Sequence, residues 1–262
     1  MSLLSKLADR LVLCPSTQFI DPEDRVRVWI EADDYKIEAW TLRTTSDSDS
    51  PTDVLLLKFP GAGGRADRAR TYPANVWSDA RAEVWTINHR GYGQSTGPAS
   101  LQNFAQSCEL VWFAAKEKFP EHKFFLYGNS LGCLSALYLA ARHQASALFL
   151  RNPPPLAQMI ATRRRYRWWS FGLSKLVANQ VPDDLDAVKN ASRSTCPALF
   201  VCSEKDSVVP PEFQQLILDA YGGPINQFVI PGANHQHGVP ESHEAQYLMA
   251  LNWLWDNSHK SD

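Results

Sequence analysis

Ser130 stands in Gly128-Asn129-Ser130-Leu131-Gly132, a G-x-S-x-G pentapeptide. A serine hydroxyl is a weak nucleophile until a base takes its proton, and a histidine base works best when a carboxylate fixes its tautomer. Both partners follow in the order serine, acid, histidine. Glu204 and Asp206 lie in Ser203-Glu204-Lys205-Asp206-Ser207-Val208-Val209-Pro210, and His235 and His237 lie in Pro231-Gly232-Ala233-Asn234-His235-Gln236-His237-Gly238. A serine, one of two carboxylates and one of two histidines make up the equipment for acyl transfer through a covalent acyl-enzyme.

The pentapeptide is common by chance, so its context decides its weight. Residues 123–127, Lys-Phe-Phe-Leu-Tyr, read as a short buried strand, and residues 131–142 read as a helix rich in leucine and small residues. A strand entering and a helix leaving make a sharp elbow. There the flanking glycines let strand and helix approach closely, and the serine hydroxyl projects from the end of the sheet.

The rest of the chain supplies a frame for that elbow. Residues 25–32 and 35–43 alternate apolar and polar side chains around Asp33-Asp34, predicting an antiparallel hairpin with one wet face. Six further runs, at 54–59, 84–88, 124–127, 147–150, 198–202 and 227–230, are apolar with little alternation, as expected of parallel strands covered on both faces. Helical patterns lie between them, for instance Phe104, Cys108, Val111, Trp112, Ala115 and Phe119 after a Ser100 able to cap. Alternation of strand and helix predicts a doubly wound sheet, with Ser130, the acids and the histidines all on loops at one edge of it. Residues 153–194 contain no convincing strand and predict a small helical lid on a single 262-residue domain.

Composition narrows the partners. A net charge of -2 and a pI of about 6.4 give no bulk electrostatic case for nucleic acid and point to a small-molecule or acyl substrate. Five cysteines, at 14, 108, 133, 196 and 202, form no C-x-x-C pair and read as reduced thiols of a cytoplasmic protein. The first fourteen residues are interrupted by Lys6, Asp9 and Arg10, which excludes a signal peptide or membrane span over that stretch. Leu4, Leu7 and Leu11 share a helical face, expected to pack against the body or, less readily, to act as a weak interfacial anchor. With neither a zinc spacing nor a phosphate-binding glycine loop, no cofactor and no metal are expected.

Taken together, the elbow at Ser130, Gly61-Ala62-Gly63-Gly64 after the third strand, residues 90–97 (Arg-Gly-Tyr-Gly-Gln-Ser-Thr-Gly) after the fourth, and the Asp206 and His235 loops resemble an α/β-hydrolase. The likeness runs from the first hairpin to the final helix and is strongest toward short-capped members related to serine-aminopeptidase-like enzymes and acyl thioesterases. It implies an eight-stranded, mostly parallel sheet flanked by helices. It favours Asp206 over Glu204 and His235 over His237, and it places the oxyanion hole at the backbone N–H groups of Leu131 and Ala62. One departure is Pro60-Gly61 where the family often carries His-Gly; because the donor is a backbone group, proline matters only through the path of the loop.

The resemblance implies a serine hydrolase of esters or thioesters, with an aminopeptidase-like hydrolase or a non-catalytic binding protein on the same fold as alternatives. Candidate pocket residues are Tyr92, Trp168, Trp169 and His237. Tyr92 also fits a purely structural glycine-permitted turn. The run Arg163-Arg164-Arg165-Tyr166-Arg167-Trp168-Trp169 reads either as a solvated helix face with its tryptophans packed inward or as a pocket wall whose arginine meets a substrate carboxylate or phosphate.

Overall fold

The structure, a computed structural model, describes residues 2–45, 51–162 and 171–259. Eight strands form one sheet: β1 (Val26–Glu31), β2 (Lys36–Arg43), β3 (Val54–Phe59), β4 (Ala82–Asn88), β5 (Lys123–Asn129), β6 (Ala147–Arg151), β7 (Ala198–Ser203) and β8 (Ile225–Ile230). Their order across the sheet is β1-β2-β4-β3-β5-β6-β7-β8. β2 runs antiparallel to both neighbours and every other pairing is parallel. This is the expected doubly wound frame with its hairpin at one end.

Two strands depart from their sequence pattern, and position in the sheet explains both. β2 buries five consecutive residues instead of alternating, because it lies between β1 and β4 and its Glu38 is held inside by polar partners. β8 alternates, leaving Ile225 and Val229 exposed, because it is an edge strand. The central β3, β4 and β7 are buried along their whole length, as apolar runs without alternation require.

The helices are α1 (Leu3–Val12), α2 (Phe104–Lys118), α3 (Gly132–Ala140), α4 (Leu156–Ala161), α5 (Phe171–Ala178), α6 (Ala187–Arg193), α7 (Pro211–Ala220) and α8 (Glu244–Ser258). Side chains of α2, α3, α6 and α7 pack on one face of the sheet with Leu55, Leu57 and Phe59, forming the larger core. α8 covers the other face, where Leu251 and Leu254 meet Leu56, Phe125 and Phe149. Ser100 caps as its position predicts, accepting from the Gln102 N–H at 3.3 Å at a short 3-10 turn that leads into α2. Leu4, Leu7 and Leu11 of α1 pack against the larger core, the body-packing alternative of the two expected for that helix.

Between β6 and β7 the described residues contain helices and no strand, with α4, α5 and α6 following one another. The Arg163-to-Trp169 run, with Trp168 and Trp169, lies outside the described residues.

Candidate active site

Parallel pairing at the centre of the sheet brings the carboxyl ends of β3, β5 and β6 side by side, with Phe59 opposite Gly128 and Asn129 opposite Arg151. Ser130 follows β5 directly and has φ +51°, a left-handed conformation that a serine adopts only when its surroundings enforce it. Its N–H donates to the Arg151 carbonyl at 2.8 Å, and its carbonyl accepts from Cys133 N–H at 2.9 Å as α3 begins. A Cβ on Gly132 would fall 1.9 Å from the Phe59 carbonyl oxygen, and one on Gly128 would fall 2.5 Å from Cys133 Cα. Only glycine permits α3 to approach β3 and β5 so closely, so the flanking glycines do the work their spacing suggests.

The Ser130 hydroxyl lies 3.0 Å from His235 Nε2, and His235 Nδ1 lies 2.6 Å from Asp206 Oδ2. With Nδ1–H donating to the carboxylate, Nε2 is left as the acceptor facing the serine. Asp206 has a fully buried side chain, and its other oxygen accepts from the N–H groups of Val208 at 2.8 Å and Val209 at 2.7 Å. Gln214 Nε2 donates at 3.4 Å to the oxygen that faces the histidine. These donors compensate a carboxylate taken out of water. Glu204, the competing acid, is exposed and accepts from Gly232 N–H at 2.6 Å, so it braces the histidine loop from outside.

Several bracing residues were not singled out from sequence. Asn152, fully buried at φ +49°, donates to Ser203 Oγ and to the His235 carbonyl, each at 3.1 Å, and accepts from Ser203 N–H at 2.8 Å. It fastens the loop after β7 to the loop after β8. Asn234 Oδ1 accepts from both His235 N–H and Ser207 N–H, at 2.7 and 2.9 Å, fastening the same loops a second time. The legible signal was a polar residue at a strand's carboxyl end; which partner it would reach depends on the register of β6 against β7.

Leu131 and Ala62 line one cavity together with Ser130. Neither amide finds an acceptor among the described residues. The loop carrying Ala62 closes with a Gly64 N–H to Gly61 carbonyl bond of 2.9 Å, so Pro60 leaves the turn compact. A polar chain supports this loop: Ala66 N–H donates to Asn88 Oδ1 at 2.9 Å, Asn88 Nδ2 to Glu38 Oε2 at 2.8 Å, and Gln94 N–H to the same oxygen at 2.9 Å. Gly93, at φ +56°, passes where a Cβ would strike Asn88 and Glu38, which assigns residues 90–97 the structural turn.

The cavity has a volume of about 370 Å³. Its walls are apolar, with Leu156, Met159 and Ile160 from α4, Phe213 from α7, and Leu11 and Val12 from α1. Every described lining residue is uncharged.

Two expected pocket residues are placed elsewhere. Tyr92 is 4% exposed, and its hydroxyl lies against Cys14, with burial raising the phenol's pKa; it props the segment after α1 from beneath and does not face the cavity. His237 is exposed, with Nδ1 accepting from Asn234 N–H at 3.2 Å and its carbonyl accepting from Arg151 at 2.6 Å, so it steadies the His235 loop.

Residues 56–179 match the family described as alpha/beta hydrolase fold. The sheet order, the elbow after β5 and this match agree. The chain has the α/β-hydrolase fold. It is 26% identical over 224 residues to an uncharacterized protein of Mycobacterium tuberculosis, a match covering 84% of this chain and 75% of that protein. Among solved structures, Est1E of Butyrivibrio proteoclasticus with ferulic acid bound superposes with a TM-score of 0.70 at 19% identity, over 89% of this chain and all of that one (100%). The Pyrococcus horikoshii acylaminoacyl peptidase gives a TM-score of 0.70 at 12% identity, covering 91% of this chain and 42% of that longer one. No described helix is long and apolar enough to cross a membrane.

Proposed function

We propose that the protein is a serine hydrolase that releases carboxylic acyl groups from esters or thioesters. The α/β-hydrolase fold supports a hydrolase, and the observation that carries the finer reading is the hydrogen-bonded line of Ser130, His235 and Asp206 beside an uncharged cavity. Ser130 Oγ attacks the acyl carbonyl while His235 Nε2 takes its proton. The carbonyl oxygen, now an oxyanion, is met by the Leu131 and Ala62 N–H groups, and Asp206 stabilises the imidazolium. As the tetrahedral adduct collapses, His235 gives the proton to the departing alcohol or thiol. Water then repeats the sequence on the acyl-serine, releasing the acid and restoring the hydroxyl.

An ester or thioester is favoured over a peptide amino terminus because, among the described residues, the cavity lining contains no carboxylate to meet an α-ammonium. The test is labelling with a fluorophosphonate probe and turnover of p-nitrophenyl esters by wild type and Ser130→Ala. Loss of both in the variant is expected. A folded wild type that neither labels nor turns over would place the protein among non-catalytic members of the fold.

A further inference from the structure

We propose that α1 and the residues following it form the closing wall of the cavity and set the length of a linear, uncharged acyl chain that fits it, of roughly eight to twelve carbons. The substrate side of this inference rests on the serine-hydrolase reading. Leu11, Val12 and Cys14 line the same cavity as Ser130, so part of the wall comes from a helix far from the elbow in sequence.

A wall can select only if it stays in place, and this one is fastened along its length. Ser2 Oγ donates to Gln180 Oε1 at 3.0 Å, between α5 and α6, and Leu101 N–H donates to Asp9 Oδ1 at 2.8 Å. Beyond the helix, Arg65 Nη1 donates to the carbonyls of Ser16 and Gln18 at 2.9 and 2.8 Å, and Gly93 N–H donates to the Ser16 carbonyl at 2.9 Å. Arg65 is itself buried in an ion pair with Asp67. Tyr92 lies beneath Cys14. The loops that support Ala62 therefore also hold the segment that closes the cavity.

The chemistry of the lining gives the class of ligand. The described lining, with its leucine, isoleucine, valine, methionine and phenylalanine side chains, accepts an aliphatic chain, and a charged one would find no partner among the described residues. At about 30 Å³ for a methylene-sized unit, near the share of one water in the liquid, a cavity of about 370 Å³ admits a medium chain and excludes a fully enclosed palmitoyl chain.

The experiment compares wild type, Leu11→Ala, Leu11→Trp and Leu7→Ala on p-nitrophenyl esters from butyryl to palmitoyl. The same substitutions are then placed on Ser130→Ala and titrated with methyl decanoate, an uncharged ester, by isothermal calorimetry. Leu7 packs against the core without lining the cavity, so its variant reports loss of packing alone. A single methylene in an apolar pocket can change kcat/KM about 10-fold or more. Leu11→Trp is therefore expected to lower the decanoyl-to-butyryl ratio of kcat/KM at least ten-fold and to weaken methyl decanoate binding. Leu11→Ala is expected to shift the optimum to longer chains, and Leu7→Ala to leave it in place. Active enzymes whose optimum and probe affinity ignore Leu11 would overturn the wall while leaving the hydrolase reading intact. Probe binding that depends on Leu11 in a protein that cleaves no ester would keep the wall and overturn the hydrolase reading.

Discussion

Asp206 is the most heavily bonded side chain of the site, receiving Val208 N–H, Val209 N–H, Gln214 Nε2 and His235 Nδ1. Under the proposed mechanism its task is to hold His235 in the tautomer whose Nε2 accepts. Asp206→Asn keeps the size of the group but can present an amide N–H to Nδ1, which moves the imidazole proton to Nε2 and removes the base. The expected fall in kcat is on the order of 10⁴-fold with little change in methyl decanoate binding, checked by steady-state kinetics beside that titration. Gln214 acts one step further out: its Nε2 is anchored on the Val209 carbonyl at 2.7 Å while also reaching Asp206. Gln214→Leu is expected to lower kcat a few-fold with KM unchanged, and Gln214→Glu to shift the pH–rate profile, since a second carboxylate beside Asp206 makes imidazolium formation easier. A flat response of kcat and of the profile in both variants would remove Gln214 from the machinery.

At the scale of elements, the site depends on how closely α3 approaches β3 and β5. Gly132→Ala puts a methyl carbon into the Phe59 carbonyl, and neither backbone can yield without moving the elbow or the loop that carries Ala62. The expected cost is about 3 kcal/mol or more, read as a lower urea midpoint, together with loss of probe labelling in whatever protein still folds. This element was legible in the sequence because one local pattern, an apolar run, G-x-S-x-G and a small-residue helix, specified strand, turn and helix at once. The eight strands were legible for the same reason, although the burial of β2 and the half-exposure of β8 depended on which strands flank them. Asn152 and Asn234 were not, because their partners on other segments are reached only through the register of β6, β7 and β8, and Gln214 was not, because its contacts to Asp206 and Val209 depend on how the turn before α7 folds back on the helix. The periodicity of α1 showed that one face must be covered; it could not show that Leu11 would also line the Ser130 cavity. Tyr92 and His237 were misplaced as pocket residues for a related reason, since proximity to the site along the chain does not fix the side of the backbone on which a side chain lies.

At the scale of the whole molecule, the sheet separates two cores, and a lysine is buried on the α8 side. Lys58 of β3 is 8% exposed. Its ammonium donates to the carbonyls of Arg70 and Tyr72 and lies 5.0 Å from the centre of the Tyr127 ring. Burial lowers its pKa from 10.5 to about 7. Burial also raises the phenols of Tyr72, Tyr127 and Tyr247 above their ordinary value, so they stay neutral while the lysine titrates. Between about pH 7 and 10.5 the unfolded chain carries a proton on Lys58 that the folded chain has released. Stability from this group therefore rises with pH across that window, and below it both states are protonated and the full penalty of burying the charge applies. The two carbonyl bonds and the tyrosine face offset part of that penalty, which makes about 5 kcal/mol an upper figure. Lys58→Met removes the titration and leaves the two carbonyls to other donors. Denaturant unfolding of both proteins at pH 7, 8.5 and 10 should show wild type gaining stability relative to Lys58→Met at each step as pH rises, with the slope steepest midway between the two pKa values, at about pH 9. A constant difference across the series would mean that Lys58 stays charged when folded, with its carbonyl partners and the Tyr127 ring replacing the water it lost.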